Sequence, residues 1–146
     1  MKTVILGLGN LLMGDDGVGV HAVWALLNSE IPADAEVLDV GTAVLDALPA
    51  LEKADRIVLI DAVEADGEPG TVYRLPLDWF VTPNRMASLH GLDILRVLAL
   101  VGSGKRVDPI VIGVEPGHIG WSTSLSPAVA AALPEVLDRV RRELEG

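Results

Sequence analysis

Two aspartates and a histidine, far apart in sequence, are the residues of this chain best placed to do chemistry together. Asp16 lies in Gly9-Asn10-Leu11-Leu12-Met13-Gly14-Asp15-Asp16-Gly17, Asp61 follows Arg56-Ile57-Val58-Leu59-Ile60, and His90 lies in Ser88-Leu89-His90-Gly91. Carboxylate oxygens and a neutral imidazole nitrogen make a half-shell suited to a divalent first-row metal. Both carboxylates follow apolar runs that read as strands, and the imidazole opens a segment that reads as a helix. An open α/β sheet gathers such positions along one edge, where ligands bind. The absence of cysteine excludes a thiolate metal site, a cysteine nucleophile and a disulfide framework together. Ser122, Ser124 and Ser126 have no Gly-x-Ser-x-Gly elbow around them, so the chain does not read as a serine hydrolase.

Each of these residues also has a structural explanation. Asp15 and Asp16 are adjacent, so their side chains diverge and only one can enter a crevice. Asp16 either caps the following helix or ligates, whereas Asp15 caps or braces the loop. Asp61 at the carboxyl end of a central strand either faces a ligand or accepts from a loop amide. His90 is either a surface histidine or a ligand whose ring is kept neutral by the positive end of its helix. His21 flanks the apolar stripe of the first helix. Glu115 and His118 follow a strand and could border the crevice. Trp24, Trp79 and Trp121 read as core or rim packing. Two clustered carboxylates repel one another until a cation relieves them.

The elements that must position these groups follow from hydrophobic periodicity and punctuation. Lys2 to Gly7 is a buried first strand. A helix starts near Gly17, with Val20, Val23, Trp24 and Leu27 at i, i+3, i+4 and i+7. Glu36 to Val40 is a second strand, and Ala43 to Lys53 is a helix that Pro49 kinks or divides. Arg56 to Ile60 reads as a central parallel strand, apolar on both faces. Glu64 to Gly70 is a surface loop, and Gly70 to Leu75 is an edge strand ended by Pro76. Pro83 to Ala87 is a loop, with Ser88 capping a helix from Leu89 to Val101. Pro109 to Val114 is a further buried strand, and Glu115 to Ser126 is rich in Gly, Pro and Ser. Ser126-Pro127 then opens a last helix bearing Val129, Leu133, Val136, Leu137, Val140 and Leu144 on one face, with a bend expected at Pro134. The order implies a three-layer α/β/α sandwich with a mostly parallel, twisted central sheet, as one domain over residues 1–146.

Composition narrows the function further. A formal charge of -10 repels phosphate backbones, so nucleic acid is not an expected partner. No apolar run is long enough to span a bilayer and the start does not read as a signal peptide, so no membrane insertion and a cytoplasmic location are expected. Gly7-Leu8-Gly9 opens like a dinucleotide fingerprint, but the third glycine position is Leu12, and Asp15 and Asp16 would oppose phosphates.

The opening Gly7-Leu8-Gly9-Asn10-Leu11-Leu12-Met13-Gly14-Asp15-Asp16-Gly17-Val18-Gly19 closely resembles the hydrogenase maturation endopeptidases, which process the large subunit of nickel–iron hydrogenases. The similarity continues through Asp39-Val40-Gly41-Thr42, Ile60-Asp61-Ala62, Ser88-Leu89-His90-Gly91-Leu92 and Gly113-Val114-Glu115-Pro116. This resemblance implies an α/β/α fold and a peptidase that removes a C-terminal extension from the large-subunit precursor once nickel is inserted. It also implies that Asp16, Asp61 and His90 contact nickel supplied by the substrate, with another divalent metal able to stand in. By the same resemblance Gly41 and Thr42 meet the substrate, and Asp39 is a further acid of the catalytic group. The alternative is a non-catalytic, nickel-dependent checkpoint that binds the loaded precursor without cutting it. A nucleotide-binding oxidoreductase is the third reading, for which a single domain leaves little room for a second substrate.

Overall fold

The computed structural model describes residues 1–80, 91–101 and 109–145. The expected loop at residues 83–87, the Ser88 cap and His90 lie outside them. Five strands form one sheet: β1 (Thr3–Leu8), β2 (Ala35–Gly41), β3 (Arg56–Ala62), β4 (Val72–Pro76) and β5 (Ile110–Val114), in the order β2-β1-β3-β5-β4. β1 pairs in parallel with both β2 and β3, β3 pairs in parallel with β5, and only β4 runs antiparallel, at the far edge. Every residue of β1 is buried, as expected of a strand with neighbours on both sides and helices on both faces. The sandwich and its mostly parallel sheet match the expectation from sequence.

The helices are α1 (Val18–Leu27), α2 (Leu48–Lys53), the short α3 (Leu77–Phe80), α4 (Gly91–Leu100) and α5 (Pro127–Glu145). Alternate residues of each strand serve opposite faces. Ile5, Val58, Ile60 and Ile112 pack with α1 and α5 through Val18, Val23, Leu26, Val136 and Val140. Val4, Leu6, Leu59 and Val111 pack on the other side with Leu51, Ile94 and Val97 of α2 and α4. The chain leaves β1 over one face and returns to β3 over the other, so a crevice opens where the connections diverge, at the carboxyl ends of β1 and β3.

Several local details differ from the sequence pattern. Val20 and Val23 of the expected stripe on α1 are buried together with Val18, Ala22 and Leu26, but Trp24 and Leu27 turn outward. Trp121 is 84% exposed and packs into no core, while Trp79 is half-buried against the α2–α4 side. The helical segment expected to be kinked or divided by Pro49 is divided just ahead of it, into a 3-10 turn (Val44–Ala47) and α2, with Pro49 in the first turn of α2, where its missing N–H costs nothing. α5 carries Pro134 in its interior and extends on both sides of it. Asp61 lies inside β3, paired with Gly113 of β5.

The first turn of α1 approaches the sheet more closely than side chains would permit. A Cβ on Gly19 would stand 2.2 Å from the Ile60 carbonyl oxygen, and one on Gly7 would stand 2.3 Å from that of Gly19. Two facing glycines therefore set the depth at which the loop carrying Asp16 enters the crevice.

The far end of α5 is tied down by charge. Glu143, buried on the helix, accepts from Arg56 Nη2 at 2.6 Å and from Arg74 Nε, while Arg56 Nη1 donates to the Glu143 carbonyl oxygen. The Arg74 hydrogen bond, opposed by burial and reinforced by the charges of Arg74 and Arg56, holds the Glu143 carboxyl below its ordinary 4.5. A lowered carboxylate contributes stability that is complete above its unfolded pKa and is lost as pH falls through the folded value. Thermal melts should therefore be flat from neutrality down to about pH 5 and fall below it. Glu143→Gln should lower the melting temperature at neutral pH and shallow that acid decline; an unchanged acid profile would remove this ion pair from the account.

Candidate active site

The site begins at a left-handed glycine. Gly9, just past β1, has φ +118°, and a Cβ there would lie 1.9 Å from the Asp16 carbonyl oxygen and 3.4 Å from Asp61 Oδ1. Only glycine lets the chain pass between the Asp16 backbone and the Asp61 carboxylate, so Gly9 lets the loop carrying Asp16 settle beside Asp61. Asp16 sits in the 3-10 turn Gly14–Gly17 and is buried. Its Oδ2 accepts from the Asn10 N–H at 2.9 Å. No side chain caps α1, so helix capping does not account for either aspartate of the loop. Asp61 is fully buried, and its Oδ1 accepts from the Ala62 N–H at 2.8 Å.

Asp15 turns the other way and braces the loop. Its Oδ2 accepts from the N–H groups of Gly117 and His118, each at 2.8 Å, and from the Ser126 hydroxyl at 2.7 Å. Its Oδ1 accepts from the Ser126 N–H at 2.7 Å. Burial by itself would raise the Asp15 carboxyl, but the hydrogen bonds from Ser126, His118 and Gly117 outweigh it and hold the pKa below 3.8. Backbone bonds complete the clasp: Gly14 N–H to Ser122 O, Asp15 N–H to His118 O and Ser122 N–H to Leu12 O. The Ser126 hydroxyl thus serves Asp15, while its carbonyl accepts from Ala130 in the first turn of α5.

Glu115 is likewise a brace, its Oε1 accepting from the Ala65 and Gly67 N–H groups and the Tyr73 hydroxyl. His118 is exposed, with its backbone engaged by Asp15. His21 lies edge-on to Trp24 with ring centroids 5.7 Å apart, and its buried Nε2 has no hydrogen-bond partner among the described residues. Sequence reasoning missed two arrangements. Trp24 Nε1 donates to Asp39 Oδ2 at 2.8 Å, joining α1 to the end of β2. Glu143 lies between Arg56 and Arg74, and its place three residues after Val140 on the apolar stripe was the available signal.

Beside Gly9 opens a cleft of about 280 Å³ between residues 9–11 and 39–43, with Trp24 as one wall. Asp39, Gly41 and Thr42 all line it, and the Gly9 N–H donates to the Gly41 carbonyl at 3.0 Å. The buried carboxylates of Asp16 and Asp61, with Asp39 at the cleft wall, would oppose the charge of a pyrophosphate. Among the described residues no three His, Cys, Asp or Glu side chains assemble as a metal site. Asp16 and Asp61 are the two members of the expected trio inside the described region.

Residues 20–143 match the family described as hydrogenase maturation protease. The chain is 31% identical to the hydrogenase 2 maturation protease of Escherichia coli over 97% of this chain and 92% of that one. It is 33% identical to the hydrogenase expression/formation protein HupD of Rhodobacter capsulatus, over 98% of this chain and 71% of that protein. Among solved structures, the hydrogenase maturating endopeptidase HybD from E. coli superposes with a TM-score of 0.87 at 30% identity, covering 99% of this chain and 93% of its own. HybD from Thermococcus kodakarensis gives 0.82 at 30% identity, with 99% of both chains covered.

Proposed function

Because this chain belongs to the hydrogenase maturation protease family and is a peptidase of hydrogenase maturation, we propose that it removes the C-terminal extension of a nickel–iron hydrogenase large-subunit precursor after nickel insertion. The observation that carries this reading is a pair of buried aspartates carried to Gly9 at the crevice of the sheet, the Asp16 backbone and Asp61 Oδ1 both lying against that glycine. In it the nickel arrives as part of the substrate, and the two carboxylates and the His90 ring take its open coordination positions. Oxygen and imidazole donors suit such an ion, and a buried pair of carboxylates gains most from a cation that relieves their repulsion.

The chain's own residues then divide the work. Asp16 and Asp61 hold the ion against the crevice, and Gly41 and Thr42 meet the adjoining polypeptide. Asp39, held by Trp24, supplies negative charge at the cleft wall. Water is the attacking group, and the held ion lowers the barrier to its attack on the scissile carbonyl. A surrogate divalent metal on the precursor would be held by the same oxygens. The family's naming as proteases favours cutting over a checkpoint that only binds.

The test is a mixture of purified chain with nickel-loaded or nickel-free precursor, read by gel mobility and intact mass. Only the loaded precursor should be shortened, and inhibitors directed at serine or cysteine nucleophiles should not slow the reaction. Equal cleavage of nickel-free precursor would overturn the role given to the metal.

A further inference from the structure

A second groove, of about 370 Å³, lies between residues 42–45 and the α4 side chains Asp93, Arg96, Val97 and Leu100. Thr42 and Ala43 line both this groove and the cleft beside Gly9, so the two form one track. Along it the track passes from Gly9, which lies beside Asp61 Oδ1, across the end of β2 to the face of α4. Leu45 and Leu100 stand on opposite sides of the groove and are each 60% exposed. Large apolar side chains left in water around a concavity mark a surface made to be covered.

We propose that this groove receives an extended, apolar segment of the precursor polypeptide adjoining the scissile bond. The proposal rests on the function argued above and adds where the substrate chain runs. Continuity with the cleft beside Gly9 identifies the occupant: Gly9 lies against Asp61 Oδ1 and the Asp16 backbone, a polypeptide whose bound metal sits there must leave past it, and Thr42 and Ala43 lead from that cleft into the groove. The lining chemistry matches. Ala43, Val44, Leu45, Val97 and Leu100 offer apolar contact, while Asp93 and Arg96 give one charge of each sign at the rim, suited to peptide groups rather than to a uniformly charged ligand. Neither charge has an ion-pair partner among the described residues.

The experiment compares the unmodified chain with the double variant Leu45→Ser/Leu100→Ser on nickel-loaded precursor. Both leucines are exposed, so the variant should melt with the parent. Losing binding made equally in ground and transition states should raise KM about tenfold and leave kcat within about twofold. A parental KM in the folded variant overturns the groove assignment alone. A variant that changes self-association, by sedimentation, without changing KM also overturns it and marks the groove as a contact between two copies. Failure of the unmodified chain to cut any loaded precursor would sink the proposed function, and this inference with it.

Discussion

Asp61→Asn is expected to fold as the parent does and to leave the loaded precursor uncut. The substitution is isosteric, and asparagine retains an oxygen able to accept from the Ala62 N–H, as Asp61 Oδ1 does now. Removing a fully buried charge also removes its desolvation cost, so the melting temperature should stay within a few degrees. What disappears is the anionic oxygen beside Gly9. Outer partners of metal ligands already cost 10- to 100-fold when removed, so loss of a direct contact should lower processing at least about a hundredfold. The same result is expected of Asp16→Asn, whose Oδ2 now accepts from Asn10. Quantitative precursor processing followed by mass spectrometry, with a thermal melt beside it, decides the matter. Full processing by a folded Asp61→Asn chain would remove Asp61 from the site.

Asp15→Ala should have the opposite signature, a damaged fold. Asp15 is fully buried and receives four hydrogen bonds, three from backbone N–H groups of the 117–126 segment and one from the Ser126 hydroxyl. Alanine leaves those donors facing a cavity, each costing about 1–3 kcal/mol unless water enters. A net loss of about 3–5 kcal/mol is expected, a large share of the 5–15 kcal/mol that holds a domain together. Since about 2–4 °C accompanies each kcal/mol in a chain of this size, the melting temperature should fall by at least about 6 °C. Asp15→Asn should be nearly as harmful, because its amide turns a donor toward donors. Ser126→Ala removes one hydroxyl and should cost only about 1 kcal/mol. Because the Asp15 carboxyl is held below its ordinary value, its contribution is present at neutral pH and lost in acid, alongside that of Glu143. A melt for Asp15→Ala within 2 °C of the parent would show that the clasp carries no weight.

Legibility differed between the two halves of the site. Asp61 could be singled out because a carboxylate after a β-branched apolar run has few structural reasons to be there, whereas Asp16, in a glycine-rich loop, read equally as a helix cap or a ligand. Their separation from Asp15 could only be guessed: adjacent aspartates diverge, but nothing local says which one enters the crevice. Trp24 misled in the other direction. Its position fits an apolar stripe at helical spacing, yet while α1 is buried along Val18, Val20, Ala22, Val23 and Leu26, the indole lies outside, bonded to Asp39. Periodicity identifies a helix well but fixes its rotation poorly when nearly every residue is apolar, as in Val18 to Leu27.

From the chain alone came the order of the elements, the parallel sheet and the residue types able to hold a cation, because strand runs, helical spacing and Gly/Pro punctuation are local signals. The tertiary structure alone decided which groups meet. Asp15 engages His118 across 103 positions, Glu143 engages Arg56 across 87, and Gly7 faces Gly19 at a separation no L side chain would allow. Such contacts depend on the depth and rotation at which helices settle on the sheet. That is a property of the packed whole, fixed by close approach and by the need to satisfy every buried polar group, and no short stretch of sequence contains it.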